Sequence, residues 1–207
     1  MIQFQEVEVY NWLNAIRGMR NSWASQDKMD SHQVLGNTLI GDADLALMKR
    51  LVLAGSDHAK FLRQILVSVD IIAPEKWWSE ADTYKVGTVA NSTSMMHTLG
   101  REQLNETHLS FEDVDADIKA GLLATYALAR QRWIDSGKKK PSREWRQMVM
   151  ITPVGFDYLR TFTCNYQVLR GMYHSRKNHR LSEWETFRQW CETLPHSELI
   201  TMTKERK

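Results

Sequence analysis

Two stretches of the chain hold the side chains from which a polar site could be assembled. Residues 77–96 open on Trp77 and Trp78 and continue through Thr83, Tyr84, Lys85, Thr88, Asn91, Ser92, Thr93 and Ser94 around Gly87. A core segment would not carry so many hydroxyls, because each buried one needs a hydrogen-bond partner. A floppy linker would not begin with two tryptophans. The composition describes a loop packed against the body and presenting short donors and acceptors to a phosphate or a base. The same Ser and Thr residues would equally serve as caps of surface turns. The second stretch holds Asn165, Tyr166 and Gln167, then Tyr173, His174, Arg176, Lys177, His179 and Arg180. Its Arg176 either points a planar fork across a cleft at an anionic or enolisable ligand or, with Lys177 and Arg180, suits the negative end of a helix.

Other chemistries lack their motifs. His174 and His179 are five residues apart, about 140° around a helix, so they do not share a metal-facing side. The sequence has no Cys-x-x-Cys pair, no phosphate-binding Gly-Lys loop, no Gly-x-Gly-x-x-Gly and no nucleophile elbow, and no metal site is expected. Net charge is only +2, with Lys and Arg scattered among Asp and Glu, which argues against a broad nucleic-acid surface. The one basic run, Lys138-Lys139-Lys140, reads as a solvated turn beside Gly137 and Pro141.

The elements that must position these residues follow from periodicity. At 207 residues and 43% hydrophobic content, one domain over residues 1–200 is expected, with a frayed tail over 201–207. Ile2 and Phe4 mark a short strand. Val9, Trp12, Ile16, Met19 and Trp23 form the inward stripe of a first helix. Residues 25–41 are loop-like, and Asp42 N-caps a helix that Gly55 ends. Residues 61–72 alternate as a strand, stopped by Ala73-Pro74, and Pro74 with Glu75 starts a short helix carrying both tryptophans. Ser110-x-x-Asp113 resembles a capping box for a long helix through Trp133. Ser142 caps the next, a helical region covers residues 157–176, and Trp184, Phe187, Cys191 and Leu194 line the last. The fold class is α+β, helix-rich with a small sheet. Cys164 and Cys191 fall in these packed segments, consistent with reduced thiols in a cytoplasmic protein, and no run is long enough to cross a bilayer.

In order of elements the chain resembles the flavin-dependent thymidylate synthases, the ThyX family. The matching residues are Ile16-Arg17-Gly18-Met19-Arg20, Leu53-Ala54-Gly55, Ala73-Pro74, Pro153, Thr163-x-Asn165, Arg176 and Trp184-Glu185. The resemblance spans most of the chain but rests on spacing and scattered identities. It implies a ThyX-like domain with a small antiparallel sheet and FAD as cofactor. It also implies a homotetramer with sites shared between subunits and methylation of a pyrimidine nucleotide, dUMP. Arg176 matches the arginine that contacts and helps activate the pyrimidine, and Asn165 a flavin-contacting asparagine. Gln167 stands where the family has an arginine, and His58 and His179 fall near family histidines. Arg160 is one position from a nucleotide-contacting arginine.

The departures matter as much. Counted from Ala73-Pro74, the family's Arg-His-Arg signature falls on Thr83-Tyr84-Lys85, and its later Ser, Glu and Ser fall near Thr88, Asn91 and Thr93. Guanidinium forks give way to a hydroxyl, a phenol and one ammonium, and the acidic group is gone. This weighs against flavin binding and methyl transfer and leaves a nucleotide pocket. The reading favoured is a non-catalytic nucleotide binder that sequesters or senses a nucleotide or nucleotide-derived signal. The alternative is a divergent flavin-dependent methyltransferase. In the binding reading, Thr83, Tyr84, Lys85, Thr88, Asn91, Ser92, Thr93, Ser94, Arg160 and Arg176 face the nucleotide. In the enzymatic one, Arg176 is the catalytic residue, and His58, Asn165, Gln167 and His179 hold the cofactor.

Overall fold

A computed structural model describes residues 2–204; residues 205–207 of the expected tail lie outside the described residues. The elements are β1 (Gln3–Tyr10), α1 (Trp12–Arg20), β2 (His32–Val34), β3 (Asn37–Leu39), α2 (Asp42–Ala54), β4 (Leu66–Pro74), α3 (Glu75–Ala81) and β5 (Val89–Ser92). They continue with α4 (Met95–Thr98), α5 (Ala116–Asp135), α6 (Arg143–Ile151), β6 (Asp157–Asn165), α7 (Tyr166–Ser175), α8 (Glu183–Thr193) and α9 (Glu198–Thr201). The fold is helix-rich α+β with a small antiparallel sheet, as expected. Four strands order as β1–β4–β6–β5, and β2 pairs with β3 as a separate hairpin with His32 opposite Leu39. Among the described residues, no helix is long and apolar enough to cross a membrane.

The backbone groups into two compact units. Among the described residues, one comprises 2–3, 71–82 and 91–160; the other comprises 4–70, 83–90 and 161–204. In the first unit, Trp133 and Tyr126 of α5 pack with Met148 of α6 and Leu99, Leu104 and Leu109. In the second, Phe4 stacks on Trp190 with ring centres 4.4 Å apart, and Trp184 meets Phe187 edge-on. Around them Ile16, Met48, Leu62, Leu169 and Met172 are completely buried.

Several expected elements changed. The strand expected over 61–72 begins at Leu66, because residues 60–63 form a short 3-10 turn that buries Phe61 and Leu62. From there Val67, Val69 and Ile71 alternate inward as anticipated, and Ala73, expected to stop the strand with Pro74, continues the buried face. The short helix after Pro74 is present as α3, with Trp77 and Trp78 buried. The helical region expected over 157–176 is instead strand β6 followed by α7. Tyr158, Arg160, Phe162 and Cys164 recur every second residue, and the three nonpolar members are buried. The capping box at Ser110 does not form. The Ser110 hydroxyl donates to Asp157 at 2.8 Å, and α5 starts only after Asp115. Ser142 does cap α6, accepting from the Trp145 amide at 3.1 Å.

The largest correction concerns α1. It ends at Arg20, and Trp23, expected on the buried stripe, stands 87% exposed. Asn21–Trp23 continue as a 3-10 turn, which rotates the chain off the helical face before the next apolar residue is reached.

Candidate functional site

In the second unit, Arg176 follows the last turn of α7, whose Leu169, Met172 and Tyr173 are anchored in the core. Its Nε donates to the Tyr84 hydroxyl at 2.9 Å. Its guanidinium lies over the Trp184 ring at 4.6 Å and the Tyr84 ring at 5.3 Å, and Nη1 is 3.1 Å from His179 Nε2. Leu181 N–H donates to the other nitrogen of His179 at 3.1 Å, which fixes the imidazole beside the arginine. A cation sandwiched between electron-rich ring faces is stabilised by their quadrupoles and loses freedom of movement. Tyr84, Arg176 and His179 are therefore gathered in one place, with the phenol on the Nε edge of the fork that was expected to read a ligand.

The loop that supplies Tyr84 is held close to α7. Thr88 donates its hydroxyl to the Tyr84 carbonyl at 3.0 Å. Gly87 has φ +82°, and a Cβ there would lie 3.0 Å from the Asn165 amide nitrogen, so only glycine fits without displacement. The Asn165 side-chain oxygen accepts from the Val168 amide at 3.1 Å, making Asn165 the N-cap of α7, and Gln167 sits half-buried in that helix's first turn. Thr83 and Lys85 are exposed. His174 is not part of this group: its Nε2 lies 3.0 Å from the Ile200 carbonyl, and burial, reinforced by Arg170, pushes its pKa down. Burial likewise raises the thiol pKa of Cys164 and Cys191, which are free and unreactive.

Apart from His58, the remaining predicted residues lie in the first unit. Asn91, Ser92 and Thr93 are exposed, Ser94 is half-buried, and the Thr93 amide donates to the Leu159 carbonyl at 2.9 Å. Arg160 projects from β6. Its Nη1 donates to both Asp82 oxygens at 3.0 Å, its Nη2 lies 3.6 Å from Glu75, and its guanidinium covers the Trp78 ring at 4.4 Å. Two carboxylates already neutralise the charge expected to meet a phosphate. Position in a strand explains this: an arginine alternating with Tyr158 and Phe162 is only 13% exposed, and at that depth it requires acidic partners.

A second polar assembly lies in the 4–70 unit; of its residues the sequence points only to His58 and, through the family resemblance, to Gly18-Met19-Arg20. It is a cleft of about 890 Å³ between α1, α2 and the turn before β4. Leu47, Leu51 and Phe61 line it, with Lys28, Arg50, His58 and Lys60 adding basic groups and Asp57 an acid. One wall is built on a buried ion pair. Arg20 donates through Nε and Nη2 to Asp44 at 2.7 and 2.6 Å, and the two side chains are 6% and 0% exposed. The second Asp44 oxygen accepts from the amides of Asp30 and Ser31. In return Asp30 accepts from the amides of Ala43 and Asp44 at 2.8 and 2.9 Å, and Ser31 Oγ accepts from the Gly41 amide. The amide bonds, led by that from Ala43, hold the Asp30 carboxyl below its ordinary pKa. Basic residues spread over 28–60 give no motif in one dimension; the weak signal available was Arg20 spaced from an acid inside the next helix. Among the described residues, no group of three or more His, Cys, Asp or Glu side chains is placed to hold a metal ion.

No family model matches the chain, and no curated protein matches it in sequence. Solved structures do match in backbone. Flavin-dependent thymidylate synthase ThyX from Helicobacter pylori, complexed with FAD and dUMP, superposes with a TM-score of 0.74 at 17% identity, covering 95% of this chain and 98% of that one. A second structure of the same enzyme with FAD and dUMP gives 0.73 at 16% identity, covering 96% and 94%. The UMP/dUMP methylase PolB from Streptomyces cacaoi, bound with 5-Br dUMP, gives 0.54 at 16%, covering 82% and 74%. With this degree of backbone agreement along nearly its whole length, the chain has the ThyX fold.

Proposed function

We propose that this protein binds a nucleotide without transforming it, sequestering or sensing it, and that the phosphate lies among Lys28, Arg50 and Lys60 in the cleft beside His58. The observation that carries the reading is the cleft itself: about 890 Å³, within the range of small-ligand sites, lined by Leu47, Leu51 and Phe61 and by a surplus of basic groups. Binding of dUMP by ThyX and of 5-Br dUMP by PolB supports a nucleotide as the ligand class. The Tyr84 phenol and Trp184 ring on Arg176 support a passive role, since that guanidinium is held by protein groups. The cytoplasm, where buried thiols stay reduced, is the proposed setting, and a homotetramer the proposed assembly.

The second reading is a divergent flavin-dependent methyltransferase, favoured by the FAD present in the ThyX structures. FAD would supply the redox chemistry, and His58, Asn165, Gln167 and His179 would hold it. Of these only His58 lines the cleft, while the Asn165 oxygen is committed to capping α7. The residues therefore fit a flavin poorly.

The test is calorimetric titration with dUMP and AMP alongside the absorption spectrum of the purified protein. Binding in a colourless protein that flavin cannot reconstitute, weakened at least tenfold in Lys28→Ala/Lys60→Ala, is expected, since a hydrogen bond to a charged group contributes about 1.5–3 kcal/mol. A yellow protein whose turnover is lost in both Arg176→Ala and Arg176→Lys would establish the enzyme instead. Full nucleotide affinity in the double lysine variant, with loss in Lys85→Ala, would move the phosphate to the 83–88 loop.

A further inference from the structure

We propose that Trp23 is the platform on which the ligand's base stacks, so that the cleft selects planar heteroaromatic phosphates over phosphorylated sugars. The inference rests on the cleft being the nucleotide site. It starts from an anomaly of burial. Trp23 is 87% exposed, the most exposed tryptophan in the described residues, whereas Trp12, Trp77, Trp78, Trp133, Trp184 and Trp190 are buried. An indole left in water forfeits the apolar burial that its size offers, and its flat face stays open to a planar partner.

Its placement indicates what that is. Trp23 lines the same cleft as Lys28, Arg50, His58 and Lys60, so a flat apolar ring and basic side chains face one volume. Phosphate and base are the two halves of a nucleotide, and stacking on an aromatic ring accepts any base because every base has a π-face. The ring also stands on a fixed support. The Ala24 amide donates to the Asn21 carbonyl at 3.1 Å and the Ser25 amide to the Arg20 carbonyl at 3.2 Å, closing the turn on both sides of Trp23. Arg20 is locked by buried Asp44 and reaches the Ser25 carbonyl with Nη1 at 3.4 Å. A platform held in this way loses little backbone freedom when a ligand arrives.

The experiment titrates the full chain and Trp23→Ala with dUMP, AMP and ribose 5-phosphate, reading affinity by calorimetry and the emission of the exposed indole by fluorescence. Both nucleotides are expected to quench that emission, and ribose 5-phosphate to bind without quenching. Trp23→Ala should fold normally, lose the quenching, weaken both nucleotides roughly ten- to a hundredfold, and leave ribose 5-phosphate unchanged. Trp23→Phe should retain most of the affinity. If nucleotides bind and Trp23→Ala leaves their affinity intact, the stacking inference fails and the cleft reading survives. If no nucleotide binds, both fall. If Trp23→Ala instead lowers the mass measured by light scattering, the ring is a contact between copies of this chain, and the inference is overturned.

Discussion

Residues 24–41 and residues 83–94 are alike in composition, short polar side chains around glycine, and unlike in what holds them. In the first, Asp30 and Asp44 exchange hydrogen bonds, each carboxylate accepting amides of the other's segment, and Arg20 closes the network from α1. In the second, Thr83, Lys85, Asn91, Ser92 and Thr93 are exposed, and Gly87 provides the close approach to α7. Polarity alone therefore does not distinguish a scaffold from a surface. A carboxylate taken out of water must find donors, and in finding them it stiffens the chain around it. The side chains of Asn91, Ser92 and Thr93 face solvent and impose no such constraint.

The largest expected effect comes from breaking that scaffold. Asp44→Ala leaves the Arg20 guanidinium, 6% exposed, without its carboxylate and frees the amides of Asp30 and Ser31. A loss of about 3–5 kcal/mol is expected in urea denaturation. The cleft wall should loosen with it, so that quenching by nucleotide falls even under conditions where the variant is folded. A loss below about 1 kcal/mol would mean that water enters the network, and the contrast between the loops would disappear.

Ser31→Ala tests one strand of the same network. Ser31 is 6% exposed and its hydroxyl accepts from the Gly41 amide at 2.9 Å, so the variant leaves one donor unmet. About 1–2 kcal/mol should be lost in thermal melts, with faster hydrogen exchange at the Gly41 amide. Unchanged exchange at Gly41 would show that another acceptor takes over.

Legibility in the sequence divides along the same line. Periodic elements with local signals were readable: β4 from its alternating Val and Ile, α6 from Ser142, α8 from Trp184, Phe187 and Cys191. What failed depended on partners distant in sequence. Asp42 looked like the cap of α2, yet the amides at its start are capped by Asp30. Ser110 looked like a cap and instead binds Asp157, 47 residues away. Arg160 looked like a phosphate ligand because the acids that neutralise it, Asp82 and Glu75, come from another element. Of the candidate site, the grouping of Tyr84, Arg176 and His179 could be anticipated only through a family resemblance. The cleft, whose lining is spread over residues 18–64, could not.

Acid offers a gentler probe of the clamp. The Asp30 carboxyl titrates below its ordinary value because amides of α2, first Ala43, hydrogen-bond its charged form. Its folded pKa is thus lower than its unfolded one. The stabilisation it gives is fully present above the unfolded pKa, about 3.9, and is lost as pH falls through the folded value. Asp30→Asn should therefore be less stable than the parent at neutral pH, and its stability should fall less steeply below pH about 4. Parallel acid-unfolding curves for the two proteins would show that Asp30 takes no part in the transition.

The smallest effect should be found in the other loop. Ser92 and Thr93 are exposed at the end of β5 and just beyond it, and the Thr93 backbone amide donates to the Leu159 carbonyl. Replacing the side chain by alanine leaves that amide in place, so the pairing beside β6 survives. Surface changes of this kind fall within about 0.5 kcal/mol, and Ser92→Ala/Thr93→Ala should melt with the parent. The double variant also separates the two places in which a ligand would find hydroxyls. If the phosphate sits among Lys28, Arg50 and Lys60, dUMP affinity is unchanged. If affinity falls tenfold while stability holds, these hydroxyls face the ligand, and the exposed loop is the recognition surface. A loss of stability above about 1 kcal/mol would instead make the hydroxyls part of the architecture. Residues 83–94 would then be a scaffold of the same kind as residues 24–41, built from hydroxyls where the other uses carboxylates.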